Sequence, residues 1–194
     1  MAKLYFNFSA MNAGKSTILL QASHNYQERG MATLLLTAQL DNRAGVGQIA
    51  SRIGLQADAH LFNAETNLAE LITQQHQQSP LSCVLVDEAQ FLSPDQVWQL
   101  AHISDALGIP IMCYGLRTDF QGKLFPGSAT LLAIADNLRE IRTICHCGRK
   151  ATMVVRQSED GQIAKSGAQI EIGGNDKYIS LCRKHWADAM GIYS

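Results

Sequence analysis

The chain of 194 residues lacks an excess of charge of either sign, with 16 lysines and arginines against 17 aspartates and glutamates. A chain without excess positive charge has no electrostatic footprint for nucleic acid or an anionic membrane, so we expect neither as a partner. It also lacks any apolar run approaching the ~20 residues that cross a bilayer. The N-terminus has no charged start and small-residue cleavage site of the kind that marks a secretory signal.

Cysteine is sparse and unevenly placed, at five positions. This spacing does not resemble the disulfide framework of a small secreted protein, so we expect a reducing, cytoplasmic setting. Hydrophobic residues make up 46% of the chain and charged residues 17%, a composition typical of a folded globular protein. The length predicts one core, or one core with a small appendage.

The strongest motif follows a short apolar stretch at residues 3–8. Strand, small-residue loop and Gly-Lys-Ser at the start of a helix form the arrangement that cradles phosphates with backbone N–H groups. Lys15 would reach the β and γ phosphates and the Ser16 hydroxyl would bind Mg²⁺. Ser9 stands where this motif usually has its first glycine. The chain is therefore predicted to bind ATP through Ser9, Ala10, Met11, Asn12, Ala13, Gly14, Lys15 and Ser16.

Apolar runs alternate with helical patterns through the first two thirds of the chain. The runs are continuously apolar, which favours a parallel sheet covered by helices on both faces, the α/β class. Ser93 is the predicted N-cap of the helix at residues 94–107. The predicted strands are residues 31–37, 83–86 and 109–114, and the predicted helices are residues 16–29, 67–77 and 94–107.

The pattern changes near residue 143, and we predict two domains, residues 1–142 and residues 143–194. Beyond the boundary come a cysteine pair, an alternating stretch at 152–157 and a glycine-rich stretch. These features predict a small β-rich lobe. A core of this size rarely holds itself together by burial alone, so a stabilising cross-link or metal is expected.

Zinc is the predicted stabiliser of this lobe. Cys145, Cys147, Cys182 and His185 supply three thiols and one imidazole, the donor set of a closed structural zinc site. His146 could replace one cysteine as a ligand, and an unligated cysteine pair or a disulfide would also fit the residues. Cys83 and Cys113 lie inside apolar strands and are interpreted as core thiols.

A second nucleotide motif ends the apolar run at 83–86. Asp87 would stand beside the phosphate loop and hold Mg²⁺, and Glu88 could accept a proton from the group that attacks the γ-phosphorus. Ala89 and Gln90 complete the segment. Alternatively, Asp87 and Glu88 could be an ordinary pair of surface acids after a strand, with no role in function.

Two enzyme classes share this signature. A helicase-like P-loop ATPase would use the acids to polarise water, but it needs a second motor domain and usually a basic track for nucleic acid. A small-molecule kinase needs an acceptor pocket, for which residues 115–120 are the candidate. They follow a strand at the carboxyl edge of the sheet, where α/β proteins bind ligands.

Four segments in a fixed order resemble one family. They are Met-Asn-Ala-Gly-Lys-Ser at 11–16, Val-Asp-Glu-Ala-Gln-Phe at 86–91, Tyr-Gly-Leu-Arg-Thr-Asp-Phe at 114–120 and Ile-Gly-Gly-Asn-Asp-Lys-Tyr at 172–178, ahead of Cys182. This combination resembles the cytosolic, zinc-containing (type II) thymidine kinases, close to the enterobacterial enzymes. The resemblance runs nearly end to end.

The resemblance implies a RecA-like P-loop domain, a zinc-held lasso domain that covers the nucleoside, and a homotetramer. It implies transfer of the ATP γ-phosphate to the 5′-hydroxyl of thymidine, with deoxyuridine as a lesser acceptor, in the salvage of DNA precursors. Thymidine triphosphate is implied as a feedback ligand.

The resemblance also assigns roles to residues. Glu88 would be the proton acceptor, and Met11, Leu116 and Phe120 would pack on the thymine ring. Asp41 and Arg43 would lie near the phosphates. On the residues alone, Leu116 and Phe120 also fit plain core positions, Tyr178 fits a packed tyrosine and Arg43 a surface charge. The lasso would contact the base and sugar through the backbone of Gln169, Ile170, Glu171, Ile172 and Gly173 and through the Tyr178 hydroxyl.

Overall fold

A six-stranded, fully parallel sheet forms the centre of the protein, in the computed structural model that describes residues 2–41, 45–158, 160–170 and 177–193. The strand order is β5–β2–β6–β7–β1–β8. These strands are β1 (Leu4–Ser9), β2 (Ala32–Ala38), β5 (His60–Phe62), β6 (Leu81–Val86), β7 (Ile111–Leu116) and β8 (Asn137–Glu140). A short antiparallel pair, β3 (Gln48–Ala50) and β4 (Gln56–Asp58), lies outside this sheet.

Helices cover both faces of the sheet, which confirms the predicted α/β class. Successive side chains of a strand point to opposite faces, so an apolar run supplies both. The helices are α1 (Lys15–Gln27), α2 (Leu68–Gln78), α3 (Pro94–Leu107) and α4 (Pro126–Ile134). Leu34 and Leu36 pack in the cluster with α2, α3 and α4, whereas Leu35 packs with α1.

Local sequence signals fix several helix ends. Ser93 caps α3 as predicted: its side chain accepts a hydrogen bond from the Gln96 N–H, and the Gln96 side chain accepts one from the Ser93 N–H. This reciprocal pair is a capping box, and Pro94 occupies the first turn. Asn67, predicted as the first residue of the second helix, is instead the N-cap of α2, where it accepts a hydrogen bond from the Glu70 N–H.

The described residues after β8 form a smaller lobe. It contains β9 (Thr143–Ile144), β10 (Lys150–Ala151), β11 (Met153–Arg156), β12 (Tyr178–Leu181) and α5 (Arg183–Met190). β9 pairs with β10, and β11 with β12, both antiparallel. Val155, Leu181 and Trp186 are central to a small apolar cluster of their own. The division at residues 142 and 143 stays a prediction. No helix in the described ranges is both long and apolar enough to cross a membrane.

Candidate active site

The phosphate loop lies between β1 and α1, at the carboxyl edge of the sheet. Gly14 is the N-cap of α1 with φ of 82°, a left-handed conformation that a side chain would strain. Asn12 is also left-handed, with φ of 62°. Lys15 is buried, and its ammonium group donates hydrogen bonds to Ser9 Oγ at 3.1 Å and the Ala10 carbonyl at 3.3 Å. Ala10 is buried, while Met11 and Ala13 are half-buried.

Ser16 and Asp87 meet at the mouth of this loop. Ser16 Oγ donates a hydrogen bond of 2.8 Å to Asp87 Oδ2. Burial, and to a smaller extent the charge of the neighbouring Glu88, raise the pKa of the Asp87 carboxyl to about 7, against the lowering effect of the Ser16 hydroxyl. A hydroxyl and a carboxylate oxygen in contact are oxygen donors of the type that Mg²⁺ prefers, so these residues fit the predicted ion.

Glu88 follows Asp87 in a left-handed backbone conformation, with φ of 53°. Such a φ is costly for a residue with a side chain and persists only when its surroundings hold it in place. Two contacts hold it here: the Glu88 N–H donates to Asp87 Oδ1 at 3.0 Å, and Gln90 Nε2 donates to Glu88 Oε2. The Glu88 carboxylate therefore has an oriented position rather than a mobile one.

Gln90 is itself fixed by β7. It is 1% exposed, and its Oε1 accepts a hydrogen bond of 3.0 Å from the Leu116 N–H. Gly115 permits this approach, since a Cβ there would lie 2.9 Å from both the backbone N and Oε1 of Gln90. Gln90 thus connects the acid Glu88 to the strand end that lines the neighbouring cavity.

That neighbouring cavity lies between the phosphate loop and the smaller lobe. Met11, Leu116, Phe120 and Tyr178, all predicted to contact the nucleoside, line it, and Gln169 lines it from the lobe. Its volume of about 80 Å³ is below the ~300–1,000 Å³ of ordinary ligand pockets, so nucleoside binding requires its walls to separate. Ile170 is described and exposed but does not line it.

A rigid turn supports Phe120. The Asp119 carboxylate accepts hydrogen bonds from the Gln121 and Lys123 N–H groups at 2.9 and 2.8 Å. Phe120 is 1% exposed, and the Arg156 guanidinium stacks on its ring at 4.1 Å. Phe120 is thus both a buried packing residue and part of the cavity wall. From the sequence alone, these two roles were alternatives.

Sequence reasoning missed several wall residues and the role of one side chain. Gln169 was predicted to act through its backbone, but its amide also donates a hydrogen bond of 2.9 Å to Asp119 Oδ2. Thr118 and Asp119 belong to the predicted acceptor segment 115–120, and Gln90 to the predicted nucleotide segment, and all three line the cavity. Phe91 adjoins the acidic motif, which was the signal available for it. The other wall residues that were missed had no such signal; they are Leu40, Phe125 and Val154. Arg43, Glu171, Ile172 and Gly173 lie outside the described residues.

The smaller lobe contacts the phosphate loop directly. Ser180 Oγ donates a hydrogen bond of 2.6 Å to the Met11 carbonyl, and Asn12 Nδ2 donates one of 3.4 Å to the Tyr178 carbonyl. Both lobe residues lie on β12. The phosphate loop, the cavity and the lobe therefore share one set of contacts.

The four predicted zinc ligands lie together in the lobe. The donor atoms of Cys145, Cys147, Cys182 and His185 are all within 4.8 Å of one another. Cys145 Sγ and Cys182 Sγ lie 3.4 and 3.5 Å from His185 Nδ1, and Cys147 Sγ lies 3.9 Å from Cys182 Sγ. A tetrahedral zinc with ordinary bond lengths separates sulfur pairs by about 3.8 Å and sulfur from nitrogen by about 3.6 Å. The cluster could therefore hold zinc.

One thiol of this cluster, that of Cys145, is already biased toward the thiolate that binds a metal. Burial opposes charge on Cys145, but N–H groups of Cys147 and Cys182 and the His185 ring outweigh it and lower the pKa of Cys145 to about 5. For Cys147, the Arg149 N–H acts in the lowering direction, but desolvation and the neighbouring sulfur atoms raise the pKa. The His146 ring stacks on His185 at 4.3 Å and lies outside the four-residue set.

The remaining cysteines are core residues, as predicted. Cys83 and Cys113 are 0% exposed and lie in β6 and β7. Burial raises the pKa of the Cys83 thiol to about 12 and also raises that of Cys113. Neither thiol is prepared to ionise or bind a metal.

Comparisons with known proteins agree with this geometry. A family model described as thymidine kinase matches residues 2–186. A thymidine kinase of Ruegeria pomeroyi is 64% identical over 98% of this chain and 96% of its own length. Those of Agrobacterium fabrum and Idiomarina loihiensis are 66% and 59% identical, over 97% and 99% of this chain and 97% and 100% of their own lengths.

One solved structure, a Pif1 helicase from Candida albicans, aligns with a TM-score of 0.42 at 15% identity. It covers 74% of this chain and 36% of that one, and a likeness this weak carries no inference about activity. The family match, in contrast, spans almost every described element of both lobes. The chain belongs to the thymidine kinase family.

Proposed function

We propose that the chain transfers the γ-phosphate of ATP to the 5′-hydroxyl of thymidine, and to deoxyuridine as a lesser acceptor, for the salvage of DNA precursors. One observation carries the site assignment. Met11, Asp41 and Glu88 line both the phosphate-loop cavity, of about 560 Å³, and the smaller cavity beside it. A kinase needs its phosphate donor and its acceptor in adjoining spaces, with an acid at their junction. Glu88 stands there.

Glu88 and Lys15 have the two central roles in this reaction. The 5′-hydroxyl gives its proton to Glu88 as its oxygen bonds to the γ-phosphorus, and the bond between this phosphorus and the bridging oxygen of ADP breaks. Lys15 turns from Ser9 and Ala10 to the β and γ phosphates, where its charge opposes the growing negative charge. Mg²⁺, held by Ser16 and Asp87, supplies charge neutralisation when bound. Backbone N–H groups of the loop, including those of Ala13 and Gly14, hold the phosphates, and Ala89 and Gln90 support the acids.

Thymine recognition uses residues of both the larger domain and the lobe. Met11, Leu116 and Phe120 pack against the ring, and the backbone of residues 169–173 pairs with its edge. A backbone strand can offer donors and acceptors that match O4, N3–H and O2 of thymine or uracil. Cytosine has a donor amine in place of O4 and an acceptor at N3 in place of N3–H, which leaves buried groups unpaired and excludes it strongly. The Tyr178 hydroxyl contacts the sugar.

Zinc has a structural role in this proposal. Three cysteines and one histidine fill a tetrahedral shell, so no position is left for a reacting water. The active form is a homotetramer. Thymidine triphosphate acts as a feedback ligand, because one molecule carries groups suited to both adjoining cavities.

The proposal is tested by a phosphoryl-transfer assay with ATP, Mg²⁺ and a panel of nucleosides. Thymidine should yield its 5′-monophosphate, and ATP turnover without nucleoside should be slow. Glu88→Gln keeps the shape but loses basicity, so kcat should fall by about 10²–10⁴-fold while ATP and thymidine still bind. The exposed Glu70→Gln is the matched control and should leave kcat unchanged. An ATPase that nucleic acid stimulates, without thymidine monophosphate, would instead support the helicase-like alternative.

A further inference from the structure

A third cavity, beside the zinc cluster residue Cys182, concentrates positive charge. It has a volume of about 660 Å³ and is open to solvent at one side. Among the described residues, five cationic side chains and one carboxylate, Glu140, line it, which gives a net of four positive charges. The cations are Arg117, Arg149, Lys150, Arg183 and Lys184. The whole chain, in contrast, has a net charge of −1.

Three of these five cations have no anionic partner within the described part of the chain. Lys150 forms an ion pair of 2.5 Å with Glu140, and Arg117 donates a hydrogen bond of 3.2 Å to the Thr152 carbonyl. Arg149, Arg183 and Lys184 form no ion pair with any described residue. Like charges that line one cavity repel one another, which costs stability unless an anion lies between them.

The nearby metal cluster does not account for this charge. Zinc with three thiolates and one neutral imidazole carries a net charge of −1, and Cys182 is its member on the cavity wall. One cation would balance it, which leaves three in excess. The first turn of α5 adds to the positive field, because Arg183 and Lys184 begin this helix.

This cavity is separate from both active-site cavities, with which it shares no lining residue. The separation arises because adjacent residues of the chain direct their side chains into different cavities. Arg117 lies between Leu116 and Thr118, and Met153 precedes Val154; the neighbours line the nucleoside cavity, and Arg117 and Met153 line this one. A ligand here would therefore not compete directly with thymidine or ATP.

We propose that this cavity is a second anion site, which binds the di- or triphosphate group of a small molecule. Guanidinium groups pair with phosphate oxygens through two parallel hydrogen bonds, and several such cations together require several negative charges. Phe8 and Tyr193 lie at the same cavity and offer apolar surface to the rest of the ligand. The site is independent of the proposed kinase activity.

Binding of inorganic tripolyphosphate tests the proposal by titration calorimetry. The phosphate loop also binds this probe, so the titration uses Lys15→Ala, in which that loop is weakened. One tripolyphosphate should still bind per chain, and the affinity should fall as NaCl is raised, because the cations are open to solvent. No binding by Lys15→Ala would overturn the proposal.

The site is located by adding Arg149→Glu and Arg183→Glu to Lys15→Ala. Reversal of two charges should lower the affinity for tripolyphosphate by roughly a hundredfold, at about tenfold for each reversal. The matched control adds Lys3→Glu and Arg29→Glu, two exposed positions away from this cavity, and should change affinity less than threefold. Equal losses in the two variants would mean that overall charge, not this cavity, binds the probe, and would overturn the proposal.

Two further arms complete the test. Zinc content is measured in each variant. If the variant with both Glu substitutions loses zinc, Arg149→Gln with Arg183→Gln is used in its place and should lower the affinity for tripolyphosphate by about tenfold. A nucleoside triphosphate that binds tighter than tripolyphosphate to Lys15→Ala would identify a nucleotide as the source of the phosphates, and equal affinity would identify the phosphates alone. Tight binding of a single-stranded oligonucleotide without binding of tripolyphosphate would contradict a small-molecule site.

Discussion

Replacement of Gln90 by leucine should lower kcat without unfolding the protein. Leucine is similar in volume and suits a site that is 1% exposed, but it removes the amide that donates to Glu88 and the oxygen that accepts from the Leu116 N–H. Glu88 keeps its carboxylate and loses its orientation. Gln90 therefore acts as a positioning residue in this prediction.

The size of the effect follows from the hydrogen bonds that are lost. A hydrogen bond to a charged group contributes about 1.5–3 kcal/mol, which corresponds to roughly ten- to a hundredfold in rate. We expect kcat to fall within this range and KM for ATP to change less than threefold, since Gln90 does not line the phosphate-loop cavity. Steady-state kinetics with both substrates measures the two effects separately.

Gln96→Leu is the control. Gln96 is also buried, at 2%, and its amide donates to the Asn63 and Thr66 carbonyls at 2.7 and 2.9 Å, away from the site. The Gln96→Leu substitution should lower the free energy of unfolding and leave kcat unchanged. Gly115→Ala, which brings a Cβ within 2.9 Å of Gln90, should lower kcat while the amide is still present. If Gln90→Leu keeps kcat within threefold of the wild type, or Gln96→Leu lowers it equally, the positioning role is refuted.

Three more predictions concern the loop, the zinc site and the magnesium site. Lys15→Ala should lower kcat by about 10²–10³-fold with an unchanged melting temperature, and near-normal turnover would refute the loop assignment. Cys182→Ala should lose zinc, stability and thymidine affinity together, whereas Cys83→Ala in the core should keep its zinc; full activity without zinc would contradict the structural role. Because burial raises the pKa of Asp87 to about 7 and a proton must leave before a cation binds, Mn²⁺ affinity should rise with pH up to about 7 and level off above it. Electron paramagnetic resonance of free Mn²⁺ measures this, and a profile that is flat below pH 7, or one that Asp87→Asn retains, would count against it.

The parts of the fold that the sequence predicted well depend on short-range signals. The phosphate loop, its helix and the Ser93 capping box each involve residues a few positions apart, so their pattern is visible in the chain itself. The strands β3, β4 and β5 have three residues each, too few to show a period, and were not predicted. Helix α4 was also missed, because Phe125 at its N-cap provides no side-chain cap.

The site was predicted less completely because its geometry depends on distant residues. Glu88 could be named from its place after a strand, but its orienting partner Gln90 is held by a backbone group 26 residues further along. The stacking of Arg156 on Phe120 joins two lobes and has no local pattern. Such contacts are products of tertiary packing, and one sequence contains no periodicity that encodes them.

The zinc cluster and the active site are connected through one strand. Cys182 follows β12 directly and caps α5, so a metal held there fixes the end of that strand. Two residues earlier, Ser180 donates its hydrogen bond to Met11 of the phosphate loop. From α5, Trp186 donates one of 3.0 Å to the Phe120 carbonyl at the nucleoside cavity. A lobe with so small a core has few other means to keep these contacts in register. Loss of zinc should therefore weaken nucleoside binding because the contacts of Ser180 and Trp186 move out of place, although no zinc ligand lines that cavity.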